Sequence, residues 1–199
     1  MQQRKPLCIV HVGIHHTATS SLQYFFSLNR EKLKKFSIIY PNSAISGHQH
    51  SLFPGCFFPD HVSMMKNRDL NLNKYLLKLE KELTSSDCDI CILSSEVFTE
   101  LLNKDIESLE KIFKGLEEMF FRIKLFLTTR DPFDRAISQL KAMLRNTAKR
   151  DKFRREIFFA HTALEHKIKA MNLLLNKWKK FNYEIINSKM QRDEALYHH

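Results

Sequence analysis

The chain has 199 residues, 43% of them hydrophobic, which predicts one globular domain with a full core over residues 1–199. Only four glycines and five prolines are present, so collagen-like, repetitive and low-complexity architectures are excluded. The formal net charge is +10, and a basic run at residues 141–155 carries much of the excess. Such a run is typical of a solvated helix face, although it could also steer an anionic ligand or a nucleic acid.

Residues 1–6 lead directly into an apolar run, without the long apolar region or the cleavage site of a signal peptide. No apolar run is long enough to span a membrane, so a cytoplasmic location is expected. Cys88 and Cys91 form a lone C-x-x-C inside an apolar segment, where residues three apart point to opposite faces of a strand. This pattern predicts reduced core cysteines, and neither a disulfide scaffold nor a bound metal is expected.

In chain order, the apolar run of residues 7–12 predicts a central strand of a parallel sheet. A helix is predicted from about residue 19, with an apolar face formed by Leu22, Phe25, Phe26 and Leu33. The remaining pattern predicts strands at residues 36–41, 89–96, 122–129 and 183–188, helices at 72–83, 106–120, 132–144 and around 164–178, and a long loop at 42–69. Because strands alternate with helices, the predicted fold class is α/β with a central parallel sheet and right-handed crossovers.

Polar residues follow several predicted strands at their carboxyl ends, where ligands bind in sheets of this kind. Gly13, residues 94–96 and residues 129–130 all occupy such positions. The segment HVGIHHTATSSLQYFF, residues 11–26, passes from a strand through Gly13 into a helix. It is close to the ATPase loop G-x-x-x-x-G-K-[ST], but Thr19 stands where that loop has its lysine. Since no predicted strand ends in a clear magnesium-binding Asp, the pattern predicts anion binding without metal and disfavours nucleotide hydrolysis or a P-loop kinase.

Four segments carry a resemblance to a known family. HVGIHHTATSSLQ resembles the 5′-phosphosulfate loop of bacterial-type sulfotransferases, H-x-G-x-x-K-T-G-T-T-S-L-Q, and TTRDPFDRAISQL (128–140) resembles their 3′-phosphate motif, R-[ND]-P-x-[DE]-R-x-x-S. YPNSAISGHQHSL resembles the Y-P…H-H-x-L segment of the family, and LSSEVF resembles its S-S-E. The resemblance covers most of the chain and implies a three-layer sandwich around a parallel sheet, the P-loop NTPase-like sulfotransferase fold.

The resemblance also implies roles for individual residues. The loop residues Gly13, His15, Thr17, Ala18, Thr19, Ser20 and Ser21 would hold the 5′-phosphosulfate of 3′-phosphoadenosine 5′-phosphosulfate (PAPS), and Arg130 and Ser138 would hold its 3′-phosphate. Among the catalytic candidates, His16 aligns with the lysine that contacts the sulfate, and Glu96 aligns with the base that deprotonates the acceptor. His50, with His48, is a second candidate for acceptor contact.

Several of these residues also have an ordinary structural interpretation. His11, inside the first strand, is expected to be a packed core histidine rather than a ligand. Glu96 could equally stabilise the N-terminus of a following helix, and Arg130 could pair with Asp134 at a strand end.

The implied activity is transfer of a sulfuryl group from PAPS, as co-substrate, to a hydroxyl or amine of an acceptor, which could be a glycan, a lipid, a small molecule or a peptide. The alternative is a catalytically degenerate module that binds PAPS or the product 3′-phosphoadenosine 5′-phosphate (PAP) without transfer. His16 in place of the lysine, Ala18 in place of a glycine, and a chain that ends soon after the strand at 183–188 support the alternative. Nucleic acid is not an expected partner, because the basic run at 141–155 contains no recognisable nucleic-acid motif.

Overall fold

The computed structural model describes residues 4–13, 19–57, 70–129 and 184–189, together with residue 176, which lies in a helix. The helix predicted at 132–144, most of the one predicted around 164–178, and the basic run at 141–155 lie outside the described residues.

The described strands form one parallel sheet. They are β1 (Leu7–Gly13), β2 (Ile38–Ile39), β3 (Ile90–Ser94), β4 (Arg122–Thr129) and β5 (Glu184–Lys189), in the order β2-β3-β1-β4-β5. β1 lies at the centre of this order, and its Cys8, Val10 and Val12 have no exposed surface. A strand covered on both faces needs a continuous apolar sequence, which explains why residues 7–12 were recognisable from the sequence.

Helices cover both faces of the sheet. They are α1 (Thr19–Leu28), α2 (Arg30–Lys34), α3 (Leu52–Gly55), α4 (Leu72–Thr84), α5 (Val97–Lys104) and α6 (Ile106–Glu117). The connection from β1 to β2 crosses the sheet in one direction, whereas those from β2 to β3 and from β3 to β4 cross in the other. Because parallel crossovers are right-handed, α1 and α2 cover one face and α3 to α6 cover the opposite face. The contacts agree, since α3, α4, α5 and α6 pack against one another and α2 packs on β2.

This arrangement confirms the predicted fold class, an α/β three-layer sandwich around a central parallel sheet. Over the described ranges, no helix combines the length and the apolar character needed to cross a membrane.

α6 contributes a row of buried side chains to the core. Leu109, Ile112, Phe113 and Leu116 of α6 are fully buried, at the spacing predicted for an amphipathic helix. α4 packs against α6 so closely at Gly115 that an added Cβ would lie 2.5 Å from Cδ1 of Leu76. Side chains cap both helices, since Asn71 accepts a hydrogen bond from the N–H of Lys74 and Asp105 accepts one from the N–H of Ser108.

The structure corrects three details of the sequence prediction. The strand predicted at 36–41 is only the two residues of β2, because Ser37 has a left-handed backbone (φ 56°) and Pro41 follows closely. The strand predicted at 89–96 stops at Ser94, and a helix that the sequence analysis did not predict, α5, begins at Val97. The helix predicted from residue 19 is divided into α1 and α2.

The predicted apolar face of α1 and α2 is only partly correct. Leu22, Phe26 and Leu33 are half-buried, but Phe25 is 52% exposed, and the fully buried positions of α1 are Thr19 and Gln23. The helix therefore directs a polar stripe, one turn long, towards the interior.

Candidate functional site at the carboxyl edge of the sheet

The carboxyl ends of the strands form one edge, here called the carboxyl edge, which includes Gly13 of β1 and Ser94 of β3. After Gly13 the chain passes to α1 on one face of the sheet, and after Ser94 it passes to α5 on the other face. Adjacent strands whose connections leave to opposite faces leave a crevice between them, and ligands of open α/β sheets bind in such a crevice. The fold therefore places a candidate ligand site between the ends of β1 and β3.

A buried histidine links the three central strands below this crevice. Nδ1 of His11 lies 2.7 Å from Oγ of Ser94 on β3, and Nε2 lies 3.2 Å from Oγ1 of Thr128 on β4. His11 is directly opposite Ser94 in the sheet register, and the ring lies 5.3 Å from that of Phe126. Its carbonyl also accepts a hydrogen bond from the N–H of Ser95, at 3.1 Å. The prediction that His11 is a packed core histidine is confirmed, because it is 1% exposed.

A second buried histidine attaches the segment after β2 to the end of β3. The backbone N–H of His50 donates to the carbonyl of Ser94 at 2.8 Å, and the N–H of Ser94 donates to Nδ1 of His50 at 3.1 Å. Nε2 of His50 therefore carries the proton and donates to the carbonyl of Pro41 at 3.1 Å. Both ring nitrogens are occupied by backbone groups, and the residue has no exposed surface. This geometry fits a structural role, and the predicted acceptor contact of His50 stays a prediction.

Burial keeps both imidazoles neutral. It lowers the pKa of His11 to about 4, against a smaller opposing effect of the negative charge on Glu96. It lowers the pKa of His50 to about 3, and the hydrogen bond to the Pro41 carbonyl works in the opposite direction. Neither ring is a cation at neutral pH, so neither supplies positive charge to an anionic ligand.

Tyr40 and Arg30 extend the polar arrangement beyond β3. The hydroxyl of Tyr40 donates to the carbonyl of His48 at 2.7 Å, and burial raises the pKa of this hydroxyl above its usual range. Nε of Arg30 donates to the carbonyl of Tyr40 at 3.0 Å, and the guanidinium lies 5.4 Å from the centre of the Tyr40 ring. His48 is exposed, and its Nδ1 lies 3.0 Å from Oγ of Ser27. These contacts fix the segment that follows β2.

The predicted cofactor-binding residues in the first turn of α1 differ in their exposure. Thr19 is buried, whereas Ser20 and Ser21 are exposed. Gln23, one turn further on, is 4% exposed, and its amide nitrogen has no hydrogen-bond partner among the described residues. A buried amide without a partner costs free energy, so this end of α1 is suited to a polar ligand or an ordered water.

Glu96 lies at the N-cap position of α5 and is half-buried, but its side chain makes no capping hydrogen bond. Oγ of Ser95 accepts from the N–H of Val97 at 3.2 Å instead and takes the capping role. The carboxylate of Glu96 is close enough to His11 to oppose the lowering of its pKa. Glu96 therefore lies at the N-terminus of the following helix, as its alternative role requires, although its side chain makes no capping hydrogen bond, and both the charge effect on the helix and the role as a base stay predictions.

The structure brings some predicted site residues together. Gly13 and Thr19 lie at the two ends of the connection between β1 and α1, and Glu96 and His50 flank Ser94. The remaining predicted residues, His15, His16, Thr17, Ala18, Arg130 and Ser138, lie outside the described residues. Within the described part of the chain, no group of three or more His, Cys, Asp or Glu side chains is arranged to hold a metal ion.

Several residues of this edge were missing from the predicted site. Ser95, Thr128, Tyr40 and Gln23 were not assigned a role, although each contributes a buried polar group to the carboxyl edge. One signal was present, since Gln23 follows Thr19 by four residues and therefore shares its helix face.

Comparisons with known proteins give little further information. No family model matches the chain, and no curated protein matches it. One solved structure with which the chain has a weak similarity was described as part of the PezAT chromosomal toxin-antitoxin system of Streptococcus pneumoniae. That comparison gives 19% identity and a TM-score of 0.39, and covers 98% of this chain and 71% of the other.

These findings contradict the predicted membership of the sulfotransferase family. No model of such a family matches the chain. The physical reason is that the resembling segments are short and, where the structure describes them, lie at strand ends, turns and helix starts, which a parallel α/β fold requires for any ligand. At the position that defines the family's chemistry, the sequence has His16 in place of the lysine.

Proposed function

We propose that the chain binds a phosphorylated nucleotide at the connection between β1 and α1. The observation that carries this proposal is the position of the connection. The central strand ends at Gly13, on the carboxyl edge, and α1 begins at Thr19, so only five residues, 14–18, join them. The first N–H groups of a helix have no partner within the helix, and with the helix dipole they favour a bound phosphate.

The polar stripe of α1 supports the same site. Thr19 and Gln23 are buried on the side where an amphipathic helix normally places apolar residues. Their hydroxyl and amide groups can donate hydrogen bonds to phosphate oxygens. The unpartnered amide nitrogen of Gln23 fits a polar group in this position, but it does not distinguish one nucleotide from another.

Two finer functions stay predictions from the sequence. One is sulfuryl transfer from PAPS, with Glu96 taking the proton of the acceptor and His16 donating to the leaving phosphate. The other is binding of PAPS or PAP without transfer. Both come from the resemblance of the four short segments, and the acceptor class and a cytoplasmic location also stay predictions.

Calorimetry with PAP, ADP and adenosine tests the proposed binding. We expect the protein to bind at least one of the two phosphorylated nucleotides, and to bind adenosine at least tenfold more weakly (about 1.4 kcal/mol) because adenosine has no phosphate. Thr19→Val and Gln23→Leu should each weaken nucleotide binding by about five- to tenfold, the effect of one lost hydrogen bond. Ser85→Ala, at the far end of α4, is the matched control and should leave affinity unchanged. Absence of binding, or equal affinity for adenosine, would disprove the proposal.

The same ligands separate the finer functions. Preference for PAP over ADP would support a site for the 3′-phosphate, and Arg130→Ala should then abolish that preference. Release of PAP from PAPS that depends on an added acceptor would support transfer, and Glu96→Gln should slow it. Binding of PAPS with no release over a panel of hydroxyl and amine acceptors would support the module without transfer.

A further inference from the structure

The histidine that joins the three central strands has a position from which it can control the proposed site. His11 lies two residues before Gly13, where β1 ends. Its side chain contacts Ser94, the last residue of β3, and Thr128, the next-to-last residue of β4. A single ring therefore joins the side chains of three adjacent strands at the edge where the ligand is proposed to bind.

The sheet register explains how one ring reaches both neighbours. His11 is paired with Ser94 across β1 and β3, so the two side chains point to the same face of the sheet. On β4 the residue opposite His11 is Phe126, and Thr128 is two residues further along on that face. The ring therefore lies between the directly opposite hydroxyl of Ser94 and the diagonal hydroxyl of Thr128. Each ring nitrogen is within hydrogen-bond distance of one of these hydroxyls.

The contacts of Ser94 carry the link further. Ser94 is held to His50 by two hydrogen bonds, and the next residue, Ser95, donates its N–H to the carbonyl of His11. The hydroxyl of Ser95 in turn donates to Oε1 of Gln49 at 3.3 Å. Movement of His11 would consequently shift the end of β3, the start of α5 and the segment around residue 49.

We infer that His11 is a positioning residue of the proposed nucleotide site, which holds the carboxyl ends of β3 and β4 at a fixed distance from the end of β1. This inference rests on the proposed function. His11 does not contact the ligand, because it is 1% exposed and both ring nitrogens already have partners. It acts through Ser94 and Thr128, and its effect on the ligand is one of geometry.

Three substitutions test the two hydrogen bonds of the His11 ring separately. His11→Asn places an amide near the position of Nδ1 and retains the contact with Ser94, whereas His11→Gln places one near Nε2 and retains the contact with Thr128. His11→Met retains neither. Ile112→Val in α6 removes a methylene from a fully buried side chain outside the carboxyl edge and is the control for a general loss of stability.

The experiment measures, for each folded variant, the melting temperature and the affinity for PAP or ADP, whichever nucleotide the wild type binds more tightly. We expect His11→Met to weaken binding by about tenfold or more, and His11→Asn and His11→Gln to weaken it by about three- to fivefold. Ile112→Val should change the affinity less than about twofold, even where its melting temperature falls as far as that of the His11 variants. The substitution Ser94→Ala should weaken binding more in the wild type and in His11→Asn than in His11→Gln or His11→Met, where the contact between Ser94 and His11 is already lost.

The outcomes separate the two proposals. If the wild type binds neither nucleotide, the proposed function fails and the binding role of His11 fails with it. If the wild type binds and His11→Met binds equally well despite a lower melting temperature, the proposed function stands and the positioning role is overturned. If His11→Met does not fold, His11→Asn and His11→Gln decide, and affinities equal to that of the wild type in both would overturn the inference.

Discussion

Acidification from pH 7 to pH 5 is expected to destabilise the protein through its two buried histidines. The ordinary pKa of histidine is 6.5, and in the folded protein it falls to about 4 for His11 and about 3 for His50. Between pH 6.5 and the folded values, the unfolded chain binds a proton at each position and the folded protein does not. Stability is therefore fully present above pH 6.5 and decreases as the pH falls.

The magnitude follows from the two pKa values of each residue. Within the window, each histidine costs about 1.4 kcal/mol of unfolding free energy per pH unit. Integrated from pH 7 to pH 5, with the gradual onset around the unfolded pKa, the loss is about 2 kcal/mol for each residue and about 4 kcal/mol for both. The pKa of Asp105, which the Ser108 hydroxyl lowers from 3.8, affects stability mainly below this window.

The two histidines differ in how firmly the structure keeps them neutral. Nδ1 of His50 accepts a hydrogen bond from the N–H of Ser94, so a second proton would break that bond. His11 faces two hydroxyls, which can rotate to accept as well as to donate, and burial alone lowers its pKa. We therefore expect the loss of unfolding free energy between pH 7 and pH 5 to be closer to about 2 kcal/mol for His50 than for His11.

Urea unfolding at pH 7, 6 and 5 checks this prediction on the wild type, His11→Gln, His50→Gln and His48→Gln. Each substitution of a buried histidine should reduce the loss between pH 7 and pH 5 by about 2 kcal/mol, whatever its effect at pH 7. His48, which is exposed, provides the control for replacing a histidine outside the core. A wild-type loss below about 1 kcal/mol, or curves for the buried variants parallel to that of the wild type, would refute the argument that both rings are buried and neutral.

Two further predictions concern the helices. In a Leu76→Ala background, Gly115→Ala should stabilise the protein by about 1 kcal/mol through helix propensity, whereas with Leu76 present the added Cβ must displace Cδ1 and the gain should disappear. Equal effects in both backgrounds, measured by urea unfolding, would argue against the close approach of α4 and α6. Asn71→Ala should lower the unfolding free energy by about 1 kcal/mol through loss of the α4 cap, whereas Asn71→Asp should retain stability, and a loss of the same size in both would exclude the capping role.

The parts of the fold that the sequence predicted well are those in which burial determines the residue type. The apolar run at residues 7–12 becomes the central strand β1, and the spacing of Leu109, Phe113 and Leu116 becomes the buried face of α6. Both patterns follow directly from contact with the core, so periodicity alone is sufficient to find them.

The errors occur where polar groups are buried. Phe25 of α1 was expected to be buried but is exposed, and the fully buried positions of the helix are Thr19 and Gln23, because this helix begins at the carboxyl edge of the sheet. α5 was missed because the strand stops at Ser94 and the next residue, Ser95, already supplies the oxygen that accepts a hydrogen bond from the N–H of Val97. The burial of the polar residues of α1 depends on contacts distant in the sequence, and the start of α5 depends on a local hydrogen bond. A hydrophobic pattern records neither.

The error in family assignment has the same origin. Two of the resembling segments, YPNSAISGHQHSL and LSSEVF, meet in the structure through Pro41, His50 and Ser94. The histidine is fully buried, and its ring and backbone satisfy two backbone groups of Ser94 at the end of β3 and the carbonyl of Pro41 after β2. Because buried backbone groups must be paired in any protein, these residues are needed to build the edge whatever ligand it holds. Their presence therefore indicates how the site is constructed, while the identity of the ligand depends on the groups that face it.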